Sequence, residues 1–299
     1  MLAAQGIITS DVNVVVAGGL ESMSLAPHLV SARQGWKFGD QKISDSMMCD
    51  GLVCAFDSRI MGEQAEYLAR KENISRADQD EFTVQSQRRA VATIEAGLFD
   101  DEIVPVDVPV RGGIRTVRND QGVRPETTLK KLAKLKTLFE ANGMVTAGNA
   151  SQISDGAAAT VVTSERFANR LTIKPLARIV ASASSGINPT DVFVAPVPAI
   201  RKVLEKAKLS LNDIDLLEIN EAFAAQMLVC IRLLEIPKKR LNVYGGAIAL
   251  GHPIGASGAR VLTTLLHAMQ PRGDKLGLAA LCLGGGGALA MIVEALDQG

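Results

Sequence analysis

The chain carries no net charge: 32 Lys and Arg stand against 32 Asp and Glu. That balance argues against a nucleic-acid groove or a polyanionic tail as the main business of the protein, and for small-molecule partners. Cysteine is scarce, four in 299 residues, without even spacing and without a Cys-x-x-Cys pair. A disulfide framework is thereby set aside, no metal framework is visible, and the class that fits is a reduced cytosolic enzyme. Apolar runs fall far short of the ~20 residues that span a bilayer. The N-terminus has no basic region followed by an apolar core and a small-residue cleavage site, so a cytoplasmic protein is expected. No Gly-x-Ser-x-Gly occurs, which sets aside a serine hydrolase built on that turn. Val14-Val15-Val16-Ala17-Gly18-Gly19 is not followed by Gly-x-Gly-x-x-Gly or by an acidic strand end placed for ribose, which sets aside a dehydrogenase.

What is present is two reactive side chains set in glycine. His252 lies in Gly245-Gly246-Ala247-Ile248-Ala249-Leu250-Gly251-His252-Pro253-Ile254-Gly255-Ala256-Ser257-Gly258, and Cys282 heads Cys282-Leu283-Gly284-Gly285-Gly286-Gly287. Glycine lets backbone pass close to a ligand and tolerates positive φ, so the flanking His or Cys can be pressed against a substrate. Both turns follow apolar runs that read as strands, 241–244 and 276–281, and ligands of open α/β sheets gather at the carboxyl ends of strands. A single His after a strand is often structural and a Cys is often buried. With only three His and four Cys in the chain, one of each in a glycine frame points instead to a shared site.

A length of 299 residues exceeds one ordinary domain and is enough to bury roughly 75% of the unfolded surface. A strand is expected over 13–17 and helices over 63–71 and 76–96, the last opened by Ser75 with Asp78 as a capping box and stopped by Gly97. Residues 24–150 form a long excursion of mixed character that reads as an inserted lid. A strand pattern returns at 158–163, and from Lys174 the period is regular. Strands are expected at 176–181, 216–219, 241–244, 276–281 and 288–294, with helices at 199–206, 222–234 and 256–269. That alternation is an α/β layered domain finished by a hairpin whose glycine turn carries the site.

The strings Asn220-Glu221-Ala222-Phe223-Ala224, Gly251-His252-Pro253-Ile254-Gly255-Ala256-Ser257-Gly258 and Cys282-Leu283-Gly284-Gly285-Gly286 resemble the three C-terminal signatures of the thiolases. Gly148-Asn149-Ala150-Ser151 followed by Asp155-Gly156-Ala157-Ala158-Ala159, and Val16-Ala17-Gly18-Gly19-Leu20-Glu21-Ser22-Met23-Ser24, resemble the same family, in family order along essentially the whole chain. The resemblance implies an α/β thiolase-like layered fold: a complete C-terminal repeat, an inserted lid and an incomplete N-terminal repeat. The division it implies is 1–23 as a remnant of the N-terminal repeat, 24–151 as the lid and CoA-binding loop domain, 152–172 as the last strand of that repeat, and 173–299 as the C-terminal thiolase domain.

The chemistry implied is reversible Claisen condensation and thiolysis of acetyl-CoA and 3-ketoacyl-CoA, acetoacetyl-CoA foremost. Coenzyme A or acyl-CoA is substrate, with no cofactor bound permanently, no nucleic acid and no membrane as partners, and relatives that assemble as homodimers or homotetramers. Cys282 would remove or return the α-proton, and His252 would activate the acyl-accepting thiol and polarise the thioester oxygen; Asn220 would fix a water that with His252 stabilises the enolate oxygen, and the Gly284 N–H would join a second oxyanion hole. On residue type alone Asn220 could equally be an Asx cap for the helix beginning at Ala222.

Ser151 would meet the pantetheine arm and Arg124 the nucleotide end. Met61 would line the acyl pocket, where Ile60 replaces the His of many acetoacetyl-CoA thiolases, and Phe139 would be a lid contact or core. Arg111, Arg115, Arg118, Arg124, Lys130, Lys131, Lys134 and Lys136 give one stretch a local basic excess, suited to CoA phosphates or simply solvated. Thiolases carry their nucleophilic Cys in a Cys-Gly-Ser-Gly loop ahead of the Ala-Gly-Gly strand, and no such string occurs here. Cys49 and Cys54 lie in a polar stretch away from any helix N-terminus that would favour thiolate, and Cys230 falls on an apolar helix face. The expectation is therefore a thiolase-like chain lacking the N-terminal part that carries the nucleophile, inactive as it stands. The alternative is a non-catalytic acyl-CoA-binding protein or one half of a split thiolase.

Overall fold

A computed structural model describes residues 1–296, so the last three positions of the expected C-terminal domain, 297–299, lie outside the described residues. Helix α1 (Leu2–Ile8) leads into strand β1 (Val14–Ser22), longer than the 13–17 run expected. The excursion that follows holds a short hairpin, β2 (His28–Val30) with β3 (Ile43–Asp45), and a π-helical turn at Met47–Leu52 that contains Cys49. It continues with α2 (Met61–Lys71), α3 (Arg76–Glu95), a second hairpin of β4 (Val106–Val110) and β5 (Gly113–Val117), and the single turn α4 (Leu129–Leu132). Helix α3 starts where the sequence says it should: Ser75 Oγ accepts from the Asp78 N–H at 3.1 Å, and the Asp78 carboxylate accepts from the Ser75 N–H at 3.1 Å.

Strand β6 (Asp155–Thr163) returns antiparallel to β1 over its full length, Val14 opposite Thr163 and Ser22 opposite Asp155, giving a two-stranded ribbon. Beyond α5 (Glu165–Arg170) come β7 (Ala177–Gly186), α6 (Pro196–Ala207), β8 (Leu216–Ile219), α7 (Ala224–Leu234) and the short α8 (Ala247–Leu250). The chain then runs through α9 (Ser257–Arg272), β9 (Leu276–Leu283) and β10 (Gly287–Ala295). These strands form a four-stranded sheet in the order β7, β10, β9, β8, with β8 parallel to β9 and the other pairs antiparallel.

Strand alternation sorts the core into two faces. Leu217, Ile219, Leu278 and Ala280 pack with Ile200 and Val203 of α6 and Met227 of α7. Leu216, Ala279 and Val293 pack with Val261, Leu265 and Met269 of α9. Helix α9 touches β1 and β6 as well as β8 and β9, so it is the layer between ribbon and sheet. The approach is close: a Cβ on Gly19 would lie 1.9 Å from the Gly255 carbonyl oxygen, so β1 abuts the loop before α9 and admits no side chain there.

The strand expected at 241–244 does not form. Leu241 makes a lone parallel bridge to Leu217, and Asn242 then turns away at φ +45°. Its carboxamide replaces the ladder: Oδ1 accepts from the Ile219 N–H at 2.9 Å and Nδ2 donates to the Ile219 carbonyl at 2.8 Å. The edge of β8 is thus satisfied by one side chain instead of a fifth strand. Among the described residues no helix is long and apolar enough to cross a membrane.

Candidate active site

Asn220 follows β8 directly, and its N–H donates to the Ala280 carbonyl of β9 at 3.0 Å. Because Ile219 lies beside Ala280 in a parallel pair, Asn220 and Cys282 leave the sheet at the same end. His252 sits in the loop between α8 and α9, with Nε2 3.2 Å from Asn220 Nδ2 and Nδ1 2.6 Å from Ser257 Oγ. Gly251 before it holds φ +98°, and a Cβ there would lie 2.2 Å from Ser154 Oγ, so glycine alone permits the turn that delivers the ring.

Asn220 is not a helix cap. Helix α7 begins at Ala224 with Phe223 in the cap position, and the Ala222 N–H is taken by Gln226 Oε1 at 3.1 Å. The Asn220 side chain is released to face the imidazole.

Electrostatics set the ground state. Burial, then the positive charge of Arg260, lowers the His252 pKa from 6.5 to about 4, so the ring is neutral near pH 7. Burial raises the Cys282 thiol to about 11, which keeps it protonated at rest. Cys282, Met61 and Phe139 each pack against the same apolar cluster, the wall around Phe223, Phe193 and Val145. Phe139 lies over the first turn of α2, where a Cβ on Gly62 would meet its ring at 2.1 Å.

The Ser151 N–H donates to the Ala222 carbonyl at 3.0 Å, which pins the 148–151 loop to the Asn220 turn. Arg124 is exposed, and its N–H donates to Gln87 Oε1 of α3 at 2.8 Å. The other basic residues from Arg111 to Lys136 are exposed too. Gly284 is exposed at the start of the turn Gly284–Gly286.

Of the other cysteines, Cys49 is exposed and its thiol reaches the Ser46 carbonyl at 3.8 Å, Cys54 is buried, and Cys230 is buried in α7 with its thiol raised to about 12. None of the three hydrogen-bonds to His252 among the described residues. No group of three or more His, Cys, Asp or Glu among the described residues is arranged to hold a metal. Two cavities open against the ribbon, one lined by Val14, Thr163 and Phe167, the other by Gly18, Gly258 and Leu281; His252, Asn220 and Cys282 line neither.

Several supports were given no role from the sequence, although Glu221 stands inside the 220–224 string. Glu221, fully buried, accepts from Ser86 Oγ at 2.7 Å, Asn242 Nδ2 at 2.9 Å and the Ile248 N–H at 3.2 Å, joining α3, the Asn242 turn and α8. Gln152 Nε2 donates to the carbonyls of Gly122, Ile248 and Ala249 at 2.9, 3.0 and 3.1 Å, while its own carbonyl accepts from the His252 N–H at 3.3 Å. Ser257 stands in the 251–258 string, but no role was read for it there.

A family model for the thiolase N-terminal domain matches residues 1–166 and one for the thiolase C-terminal domain matches 173–295. The first match begins at residue 1, so it does not confirm that an N-terminal portion is absent. The acetyl-CoA acetyltransferase of Rhizobium meliloti (strain 1021) is 52% identical over 295 residues, spanning 99% of this chain and 75% of that protein. The acetyl-CoA acetyltransferase of Escherichia coli (strain K12) is 49% identical over 298 residues, spanning 99% of this chain and 76% of that protein. The crystal structure of the Bacillus anthracis acetyl-CoA acetyltransferase superposes with TM-score 0.96 at 42% identity, over 99% of this chain and 75% of that one. Human mitochondrial 3-ketoacyl-CoA thiolase in complex with CoA superposes with TM-score 0.93 at 43% identity, over 98% and 73%.

Proposed function

This chain belongs to the thiolase family and has its α/β fold, and on that premise we propose that its site performs thioester Claisen chemistry on acetyl-CoA and 3-ketoacyl-CoA, acetoacetyl-CoA foremost. The observation that carries the proposal is the 3.2 Å contact between Asn220 and His252 at the strand ends where Cys282 also emerges. A neutral imidazole can take a thiol proton, and a carboxamide N–H can stabilise charge developing on a thioester oxygen. Cys282, protonated at rest with its pKa near 11, enters first as an acid. In thiolysis an acyl-accepting thiolate must first add to the C3 carbonyl; the C2–C3 bond then breaks, the acyl group stays on that sulfur as a thioester, the electron pair becomes the enolate of acetyl-CoA, and the Cys282 S–H gives its proton to C2. Condensation runs the same transfer backwards and needs the thiolate.

Met61 and Phe139, on the Cys282 wall, line the acyl end. Ser151 takes the pantetheine arm, and the exposed bases around Arg124 take the CoA phosphates. The human neighbour crystallised with CoA supports this class of ligand. Residues 24–151 act as the lid in this reading, and four free cysteines support a reducing compartment. The acyl-accepting thiol is not among those four: Cys230 and Cys54 are buried, and Cys49 is exposed on a turn of its own. The 299-residue chain alone therefore carries the enolate half of the reaction.

Acetyl-CoA binding by calorimetry, beside acetoacetyl-CoA thiolysis by the same purified chain, tests both parts. Binding is expected, with thiolysis lower than in a complete thiolase by ~10⁴ or more. Turnover at ordinary rates would show that a nucleophile is present. Absence of acetyl-CoA binding would overturn the functional reading itself.

A further inference from the structure

Strand β8 carries one ionisable residue, Glu218, on the face turned to α9, and it is 1% exposed. Neither of its carboxyl oxygens has a hydrogen-bond partner among the described residues. Arg260 of α9 lies within its electrostatic reach, with Nε and Nη1 also buried and unpartnered among the described residues. Glu102, bonded to Thr264 Oγ1 through one oxygen, and the carboxyls of Asp120 and Glu221 also lie within electrostatic reach of Arg260. The hydrogen bond that the Arg260 side chain does make is directed at the site: Nη2 donates to Asn220 Oδ1 at 3.4 Å.

That contact fixes the polarity of everything beyond it. A guanidinium has only donors, so the Asn220 atom facing it is the carbonyl oxygen, and the amide nitrogen is turned to His252 Nε2 at 3.2 Å. A carboxamide nitrogen only donates, so Nε2 accepts and carries no proton. The ring's proton is then on Nδ1 and is donated to Ser257 Oγ at 2.6 Å, whose own hydrogen goes to the Pro253 carbonyl at 2.9 Å. With the carboxamide reversed, N–H would face N–H at the guanidinium.

We propose that Arg260 is a positioning residue: through Asn220 it holds His252 in its neutral Nδ1–H tautomer, with Nε2 unprotonated and fit to receive a thiol proton. Arg260 touches no substrate in this scheme. It orients a group that does. The inference rests on the reading of His252 as the base of the thioester site, but its test does not need substrate.

Long-range proton–nitrogen correlation spectra of the ¹⁵N-labelled chain at neutral pH read the tautomer directly, with His252 assigned against His28 and His267 by a His252→Gln sample. The expected wild-type pattern is a protonated Nδ1 and a bare Nε2. Arg260→Met, which keeps bulk and removes every donor, is expected to yield a tautomer mixture, and Arg260→Lys to restore the single pattern. Asn220→Asp, able only to accept, is expected to bring a proton to Nε2, and it decides the matter if Arg260→Met does not fold. A protonated Nε2 in the neutral wild-type ring, or an unchanged Nδ1–H pattern in Arg260→Met, would overturn the proposal. Loss of acetyl-CoA binding with the tautomer as expected would sink the functional reading and leave this one standing.

Discussion

The four-stranded sheet and the two-stranded ribbon draw on the same small and β-branched residues, yet they live in different surroundings. Strand β8 is buried along its whole length, whereas β1 alternates exposed and half-buried positions, with Val16 71% and Leu20 74% exposed. Helices cover both faces of the sheet; α9 covers one face of the ribbon. A strand packed on both sides has its position fixed by every neighbour, so the loops that leave it are fixed too. Asn220 and Cys282 leave such strands, and His252 is held by the loop that precedes α9. The ribbon contributes to the site chiefly by backbone contact, at Gly19 against Gly255.

The sharpest way to break this comparison is a truncation in each region. Leu278→Ala in β9, where the side chain is fully buried, is expected to cost about 4 kcal/mol in urea unfolding. Val16→Ala in β1 is expected to change stability by less than about 0.5 kcal/mol. Equal costs would mean that the ribbon is as deeply packed as the sheet.

Buried charge sharpens the contrast with a sign that depends on pH. Burial raises the Glu102 carboxyl from 4.5 to about 7. A raised carboxyl favours the folded state fully below the unfolded pKa, and that contribution is lost as pH rises through the folded one. Glu102→Gln mimics the neutral acid, so it should match wild type below about pH 4.5. Above pH 7 it should be more stable by at most about 3 kcal/mol, less whatever solvent screening removes. Chemical denaturation across that range checks it, and a variant that is less stable at alkaline pH would refute the assignment.

Asn242→Ala should cost about 2 kcal/mol by stranding the buried N–H and carbonyl of Ile219. Ser75→Ala, outside both sheets, should cost only about 1 kcal/mol through the lost cap of α3. Both are read from denaturant midpoints at constant slope.

The C-terminal layers were legible because period and burial agree there. The apolar runs of β8 and β9 and the stripe Val261, Leu262, Leu265, Leu266 of α9 announce elements that the fold then buries. The 241–244 run misled because a strand and a side-chain mimic of a strand begin with the same apolar letters; only the positive φ of Asn242 separates them. His252, Cys282 and Asn220 stood out by glycine framing and family resemblance. Arg260 and Gln152 did not, and Glu221 had a place in the 220–224 string but no role, since the partners of all three are tens of residues away in sequence and Arg260, a charged letter inside a helix, reads as surface. The 24–151 excursion was readable only where α2 and α3 impose a period; its hairpins and the π-helical turn around Cys49 have too few residues to do so.

The central claim is that imidazole, thiol and carboxamide serve one thioester. The most direct measurement is exchange of the acetyl-CoA methyl protons in deuterium oxide, followed by proton NMR with the wild-type chain and with Cys282→Ser. The account predicts exchange by wild type that climbs with pH toward the Cys282 pKa of about 11, and a loss of at least ~10² in the variant. Exchange at the same rate in Cys282→Ser would contradict it.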